Sequence, residues 1–180
     1  MLFYGPKELV RSSGTVRKNT LTIAEEIPED KYDFKPVPAY RTVSRMLVHI
    51  ALGYKFQYQF HAVEKRDSFE GFDFPSFMQK IAAEENKART KAEIIDLLKT
   101  EGEKWDSWMD GLSENFLSQM VRMPQGSMPP AKSRFEMILS VKEHEMHHRG
   151  QLMLIERLLG ITPHLTRERE ARMAEAADKS

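Results

Sequence analysis

The residues best suited to chemistry are His144 and His148, which lie four positions apart near the centre of a long amphipathic stretch. On a helix this spacing places both imidazoles on one face, one turn above the other, where their nitrogens can share a metal ion. The same face continues in apolar residues, so the pair is expected at core depth, where unpaired polar groups cost a few kcal/mol. The apolar neighbours are Ile138, Val141, Leu152, Ile155 and Leu159.

An inward-facing pair of histidines can equally be hydrogen-bonded within a core, so the metal hypothesis needs a third ligand. His49 is the candidate, because it lies among apolar residues of an earlier helical stretch and should also point inward. A single inward histidine is commonly a satisfied core residue. The hypothesis therefore depends on His49 converging with His144 and His148. His61, farther along the same stretch, is predicted to lie at the surface.

Composition limits the classes of site and of function. The 180 residues include no cysteine, so a metal site must be built from histidine and carboxylate, and a cysteine nucleophile is excluded. The 27 basic and 27 acidic residues balance and are spread along the chain, which argues against a nucleic-acid partner. The first residues lack the pattern of a signal peptide, and no apolar run is long enough to cross a bilayer. These features predict a cytoplasmic protein without a membrane partner.

Apolar residues recur at helical spacing in four long segments, which predicts an all-α four-helix bundle. Proline interrupts the connector between the first two, and Gly160 with Pro163 should end the last. Residues 1–165 are predicted to form one metal-binding bundle and residues 166–180 a charged tail that adds little to the core. The predicted helices are Pro6–Ile27, Thr42–Glu64, Thr90–Leu112 and Ser133–Leu159.

Two further segments are predicted to be loops. The first, Asp67–Phe77, contains four phenylalanines around Gly71 and Pro75, and it should fold over an edge of the bundle or form a lid over a pocket. The second, Phe116–Pro130, is rich in proline and contains at most a short extended piece around Met120 to Met123.

Several motifs of the chain resemble those of the DinB/YfiT-like metalloenzyme superfamily, and the resemblance covers about residues 5 to 163. It implies a four-helix bundle with a long crossover between the second and third helices. It further implies a divalent metal, zinc or nickel, held by His49, His144 and His148, and frequently a homodimer. The motifs are Met46-Leu-Val-His49-Ile-Ala, His144-x-x-x-His148-Arg-Gly-Gln-Leu152, the connector from Ile27-Pro to Lys35-Pro-Val-Pro, and Gly160-Ile-Thr-Pro163.

Characterised relatives of that superfamily include transferases and isomerases that use the thiols bacillithiol, mycothiol or glutathione, which favours a metal-dependent thiol transferase acting on a small molecule. No side chain is an obvious nucleophile, so an external thiol would supply it. A binding or stress-response module without turnover is the alternative. A metal-dependent hydrolase is a third hypothesis, and it needs a carboxylate base near the ion. Glu145 is a candidate partner for a ligating histidine, although a solvated glutamate explains it as well.

The second predicted helix is apolar over more of its surface than one four-helix core needs. This surplus predicts a homodimer that buries part of the first helix, the second helix or the Phe-rich loop.

Overall fold

A computed structural model describes residues 4–178 and confirms the mostly helical four-helix bundle. In chain order, the α-helices and strands are α1 (Pro6–Glu26), α2 (Val43–Leu52), α3 (Lys55–Tyr58), α4 (Phe74–Glu85), α5 (Lys91–Asp110), α6 (Glu114–Ser118), β1 (Met120–Arg122), β2 (Ala131–Ser133), α7 (Arg134–Leu158) and α8 (His164–Ala177).

The bundle consists of α1, the second helical segment, α5 and α7. Both α1 and α2 pack against α5 and α7, so α2 and α7 are neighbours and their side chains can meet. The second segment is not one regular helix: α2 ends at Leu52, α3 follows, and Gln59–Val63 forms a π-helical turn. Its side chains fill the bundle core together with those of the other three helices. Residues with 2% exposure or less include Leu9, Ile23, Leu47, Ile50, Ile94, Leu98, Ile138 and Leu152.

The helix boundaries have local causes. Thr90 and Glu93 form the reciprocal capping box that begins α5, and Ser133 and Glu136 do the same for α7. At its other end, α7 stops before Gly160, whose φ of 80° is in the left-handed region. The predicted ends of the third and fourth bundle helices are therefore confirmed to within a few residues.

The crossover between the second and third bundle helices contains α4, which the sequence analysis did not predict. Residues 74–77, predicted as loop, are its first turn, because Pro75 suits that position and the Asp73 side chain accepts a hydrogen bond from the Ser76 backbone N–H. The preceding phenylalanines pack on the bundle edge as predicted, around Phe56 and Phe60. The rings in this cluster are Phe56, Phe60, Phe69, Phe72, Phe74 and Phe77.

The predicted extended piece at Met120 is strand β1, and it pairs with β2 in an antiparallel hairpin. Strand β2 was not predicted, since three residues are too few to show an alternating pattern. Helix α8 begins at His164, before the predicted tail, and runs to Ala177. Its buried residue, His164, belongs to the predicted bundle segment 1–165, whereas residues 167–177 are exposed. Within residues 4–178, no helix is both long and apolar enough to span a membrane.

Candidate metal centre

The three predicted metal ligands lie together between α2 and α7. His49 projects from α2, and His144 and His148 project from successive turns of α7. The Nε2 atom of His144 is 2.9 Å from that of His49 and 3.1 Å from that of His148. One ligand atom from each ring lies within 4.8 Å of the others. Nitrogens bound to one tetrahedral zinc ion at 2.0–2.1 Å would be about 3.3 Å apart, so the spacing suits a common ion.

The hydrogen bonds of the outer ring nitrogens give an independent test of whether a cation fits. His49 Nδ1 lies 2.5 Å from Glu85 Oε1, and His148 Nδ1 lies 2.8 Å from Gln151 Oε1. When Nδ1 donates to these oxygens, the Nε2 atom of each neutral ring carries a lone pair. The lone pairs of His49 Nε2 and His148 Nε2 both point at His144 Nε2. That atom carries at most one proton, so it can donate a hydrogen bond to only one of them. Hydrogen bonding alone therefore leaves the cluster incompletely satisfied, and a divalent cation would satisfy it.

The electrostatic environment favours neutral imidazoles. Burial lowers the pKa of His144 to about 4, and the nearby histidines and Arg41 lower it further in the same direction. Burial also lowers the pKa of His148, although its hydrogen bond to Gln151 opposes the shift. Both rings are thus unprotonated at neutral pH, which is the state that a metal ligand requires.

Glu85 is a functional candidate that the sequence analysis missed. Although burial raises the pKa of its carboxyl group, the hydrogen bond from His49 and the charges of Arg41 and Arg45 outweigh burial and lower it overall. The ionised carboxylate can hold the His49 ring in the orientation that aims Nε2 at the cluster. Glu85 belongs to α4 and is 36 positions from His49, so no local motif connects the two residues.

Gly53 makes room for the ring of His144. A Cβ atom at this position would lie 2.8 Å from His144 Nδ1, which is closer than atoms tolerate. At the break between α2 and α3, the backbone of Gly53 therefore packs directly against the His144 imidazole. A side chain at this position would push the ring away.

Glu145 is neither the partner of a ligating histidine nor a solvated glutamate, which were the two interpretations from the sequence. Its carboxylate is buried and binds the Arg17 guanidinium through contacts of 2.8–3.1 Å, so it neither contacts the three histidines nor lies in solvent. Arg17 also donates to the Leu98 carbonyl oxygen at 2.7 Å. The pair therefore joins α1, α5 and α7 as a structural link.

The prediction that His61 lies at the surface is wrong. The side chain is 1% exposed, and its Nδ1 atom accepts a hydrogen bond from Arg134 at 2.6 Å. Burial and the charge of Arg134 lower the pKa of His61 to about 3, which keeps the ring neutral. The break after Leu52 and the π-helical turn change the helical phase, so extrapolating a regular helix from His49 gave the wrong face.

A cavity of about 220 Å³ opens beside His49 and His144. Its walls are mostly apolar, and Gln57 and Ser140 are the other polar residues in the lining. A larger open groove of about 810 Å³ is bounded by Phe69, Phe72 and Arg122, among others, but none of the three histidines lines it. The smaller cavity is therefore where a substrate can meet the cluster. Its apolar lining is Leu52, Gly53, Phe56, Phe77, Met78, Ile81 and Val141.

Comparison with known proteins identifies the family of the chain. The family model described as the DinB family matches residues 2–178. The chain belongs to the DinB family. The resemblance inferred from the sequence motifs is thereby confirmed. Among curated relatives, the uncharacterized protein YjoA of Bacillus subtilis is 25% identical over 146 residues, which cover 81% of this chain and 85% of YjoA.

Solved structures of DinB-like proteins share the fold. The Bacillus subtilis YjoA structure has a TM-score of 0.63 at 21% identity and covers 86% of this chain and 93% of its own. A member of the DinB family from Exiguobacterium sibiricum has a TM-score of 0.60 at 18% identity, covering 86% and 91%. YfiT from Bacillus subtilis has a TM-score of 0.65 at 12% identity, covering 87% and 89%, and is described as a probable metal-dependent hydrolase with an unusual four-helix bundle topology.

Proposed function

We propose that this DinB family protein is a metal-dependent enzyme that transfers a low-molecular-weight thiol to a small electrophile. The observation that carries the proposal is the convergence of three imidazoles, His49, His144 and His148, two of which, His49 and His144, line a small apolar cavity. A divalent ion there would lower the pKa of a thiol or water molecule bound beside it. Zinc and nickel are the metals we favour, since three imidazoles suit both.

The lining of the cavity supports an external nucleophile. It contains no lysine, arginine or carboxylate among the described residues, so the chain offers no charged base there. The Ser140 hydroxyl donates to the Met137 carbonyl oxygen at 2.6 Å and is therefore engaged. Gln57 differs, because its buried Oε1 atom has no hydrogen-bond partner and can accept one from an entering ligand. An amide N–H of a peptide-like thiol is a suitable donor.

The apolar walls assign roles to further residues. Phe56 and Phe77 would exclude water from the reacting atoms, and the partly exposed Met78 would border the entrance. In the transfer, the thiol sulfur bonds to the electrophilic carbon, the bond from that carbon to its halide or epoxide oxygen breaks, and the thiol proton passes to solvent. The walls suit an apolar electrophile of a size comparable to the cavity.

The test is a thiol screen on metal-loaded protein with an epoxide or alkyl halide in excess. Bacillithiol, mycothiol, glutathione and coenzyme A are each assayed with wild type, His49→Ala and His147→Gln. His147 is an exposed neighbour whose Nε2 atom contacts Gln151, and glutamine at this position keeps a polar partner. We expect turnover with at least one thiol in wild type and His147→Gln, and loss in His49→Ala. Background rates with every thiol would reject the transferase.

A metal-dependent hydrolase is the second candidate, because the structural neighbour YfiT is described as a probable one. Hydrolysis requires water as the nucleophile and a group that accepts its proton. The nearest carboxylate, Glu85, contacts the far nitrogen of His49 and does not line the cavity, which favours the transferase. Turnover of an ester or amide by the metal-loaded protein without thiol would favour the hydrolase. A metal-binding module predicts stoichiometric metal with neither activity.

A further inference from the structure

Arg41 is a cation at the edge of the candidate metal centre. It lies two positions before α2, and its Nε atom is 3.6 Å from Glu85 Oε2. The other oxygen of that carboxylate contacts His49. The charge of Arg41 also reaches His144 and His148, since it contributes to the lowered pKa of both rings. One guanidinium thus acts on two candidate ligands and on the carboxylate that holds the third.

The hydrogen-bonding capacity of Arg41 is not used within the chain. Its Nε–H is a buried donor without an acceptor among the described residues, because 3.6 Å to Glu85 Oε2 is too long for a hydrogen bond. The side chain is 39% exposed, so a ligand can reach its outer N–H groups. A guanidinium presents these donors as a planar fork that matches the two oxygens of a carboxylate. Arg41 can therefore bind a carboxylate that enters from outside the chain.

The charges around the cluster favour a ligand with two negative charges. The three imidazoles are neutral, and no carboxylate of the described residues joins them as a fourth possible ligand. Arg41 and the ionised Glu85 balance each other, so a divalent ion would leave a surplus of about two positive charges. A thiolate on the ion would remove one of these charges. A carboxylate on Arg41 would remove the other.

We propose that Arg41 selects the ligand of the three-histidine centre by binding its carboxylate group. The preferred thiol then carries a carboxylate a few bonds from its sulfur, which narrows the substrate class of the transferase proposed above and rests on that function. Arg41 does not line the cavity beside His49 and His144, so it can hold one end of the thiol while the electrophile occupies the cavity. It determines specificity and takes no part in making or breaking bonds.

Arg45 provides a matched control for the loss of one charge. It lies four positions after Arg41, and both charges lower the pKa of Glu85. The charge of Arg45 is not among those that shift the pKa of His144 or His148. Its exposed side chain lines a separate polar pocket of about 400 Å³, which none of the three histidines borders. Arg45→Gln therefore removes a charge beside Glu85 and leaves Arg41 in place.

The experiment measures thiol binding to cobalt-substituted protein by visible spectroscopy. The probes are mercaptoacetate, β-mercaptopropionate and γ-mercaptobutyrate, each paired with its uncharged primary amide. The readout is the ratio of acid to amide affinity, compared between variants so that intrinsic differences in thiol pKa cancel. For at least one pair we expect this ratio to fall at least about tenfold in Arg41→Gln, because hydrogen bonds to a charged group contribute about that much affinity. It should stay within about twofold of wild type in Arg45→Gln.

Arg41→Lys gives a second readout. Lysine keeps the charge but loses the planar fork, so the ratio should fall by less than in Arg41→Gln. Circular dichroism and cobalt content show that each variant is folded and loaded. If Arg41 only supported Glu85, acids and amides would weaken together and the ratio would not change.

Three results would overturn the proposal: a wild type that takes up no cobalt, a ratio that is unchanged in Arg41→Gln, or an equal fall in Arg41→Gln and Arg45→Gln. Turnover with excess alkyl halide is scored separately. A carboxylate preference that depends on Arg41 but comes without turnover would support the inference and reject the transferase. Binding of butyrate as tight as that of the mercapto acids, and equally dependent on Arg41, would support carboxylate selection and reject a thiol as the ligand.

Discussion

At the residue scale, the bond between Glu85 and His49 is expected to tune metal affinity. Glu85→Gln keeps a hydrogen-bond acceptor but removes the charge that polarises the imidazole, and we expect metal affinity to fall about 10–100-fold. The measurement is a competition titration against a chromophoric chelator. Glu84→Gln is the matched control, because the Glu84 carboxylate pairs with Lys87 and Arg89 instead. Equal metal affinity in wild type and Glu85→Gln would show that Glu85 does not contribute to metal binding.

Gly53 provides a steric test of the same site. Its φ of −59° and ψ of −25° suit alanine, so Gly53→Ala should preserve the backbone. The added Cβ atom would lie 2.8 Å from His144 Nδ1 and should displace that ring. We expect metal affinity to fall at least about tenfold in the same titration, with the helical circular dichroism unchanged. Gly150→Ala, where a Cβ atom meets nothing, should retain wild-type affinity.

Glu156 is expected to make stability depend on pH. It is fully buried, both carboxylate oxygens lack hydrogen-bond partners, and burial, aided by Glu26, raises the pKa to about 7 from the ordinary 4.5. Between these values the unfolded chain releases this proton while the folded chain retains it, so the free energy of unfolding falls as pH rises from about 4.5 to 7. Above pH 7 the folded chain carries the full free-energy cost of burying the ionised Glu156 carboxylate.

The neutral variant Glu156→Gln lacks this titration. We expect it to gain about 2 kcal/mol of stability relative to wild type on going from pH 5 to pH 8, measured by urea unfolding of metal-free protein. Glu103→Gln, at an exposed position of α5, is the control and should show no such difference. If Glu156→Gln and wild type differed in stability by the same amount at pH 5 and pH 8, the raised pKa of Glu156 would be contradicted.

At the scale of elements, α4 connects the crossover to the candidate metal centre. Glu85 is the buried residue of α4, and it contacts His49. Phe77, Met78 and Ile81 of the same helix line the cavity. An ion that fixes His49 should strengthen this contact and hold α4 against the bundle.

We therefore expect metal to slow hydrogen exchange in α4. Amides of residues 77–85 should exchange at least about tenfold more slowly in metal-loaded than in metal-free protein. Amides of α1, which contributes no residue to the cluster or to the lining of its cavity, should change little and provide the internal control. Equal protection of α4 in both states would mean that its docking is independent of the centre.

The elements also show what sequence patterns can and cannot predict. The long bundle helices were predictable because apolar spacing, capping boxes and Gly160 act locally. Helix α4 was not, because most of its residues are exposed and it carries a weak apolar stripe. The orientation of His61 depended on a π-helical turn, which leaves no clear sequence signal.

At the scale of the whole molecule, residue spacing made the three histidines candidates, because two of them share a helix and the third lies on an apolar stretch. The resemblance to the DinB/YfiT-like superfamily then implied that all three bind one ion. Their partners could not be predicted, since these contacts join distant segments. His49 and Glu85 are 36 positions apart, and Arg17 and Glu145 are 128 apart. Only packing of the complete bundle determines which charged groups meet, and this is why Glu145 received the wrong role and Glu85 none.

The central claim is that His49, His144 and His148 bind one divalent ion per chain. The most direct measurement is elemental analysis of protein purified without an affinity tag, compared with His144→Ala, His148→Ala and the control His147→Gln. We expect about one equivalent of zinc or nickel in wild type and in His147→Gln, and well below half an equivalent in the two alanine variants. Full metal content in both alanine variants, or none in wild type even after loading, would contradict the claim.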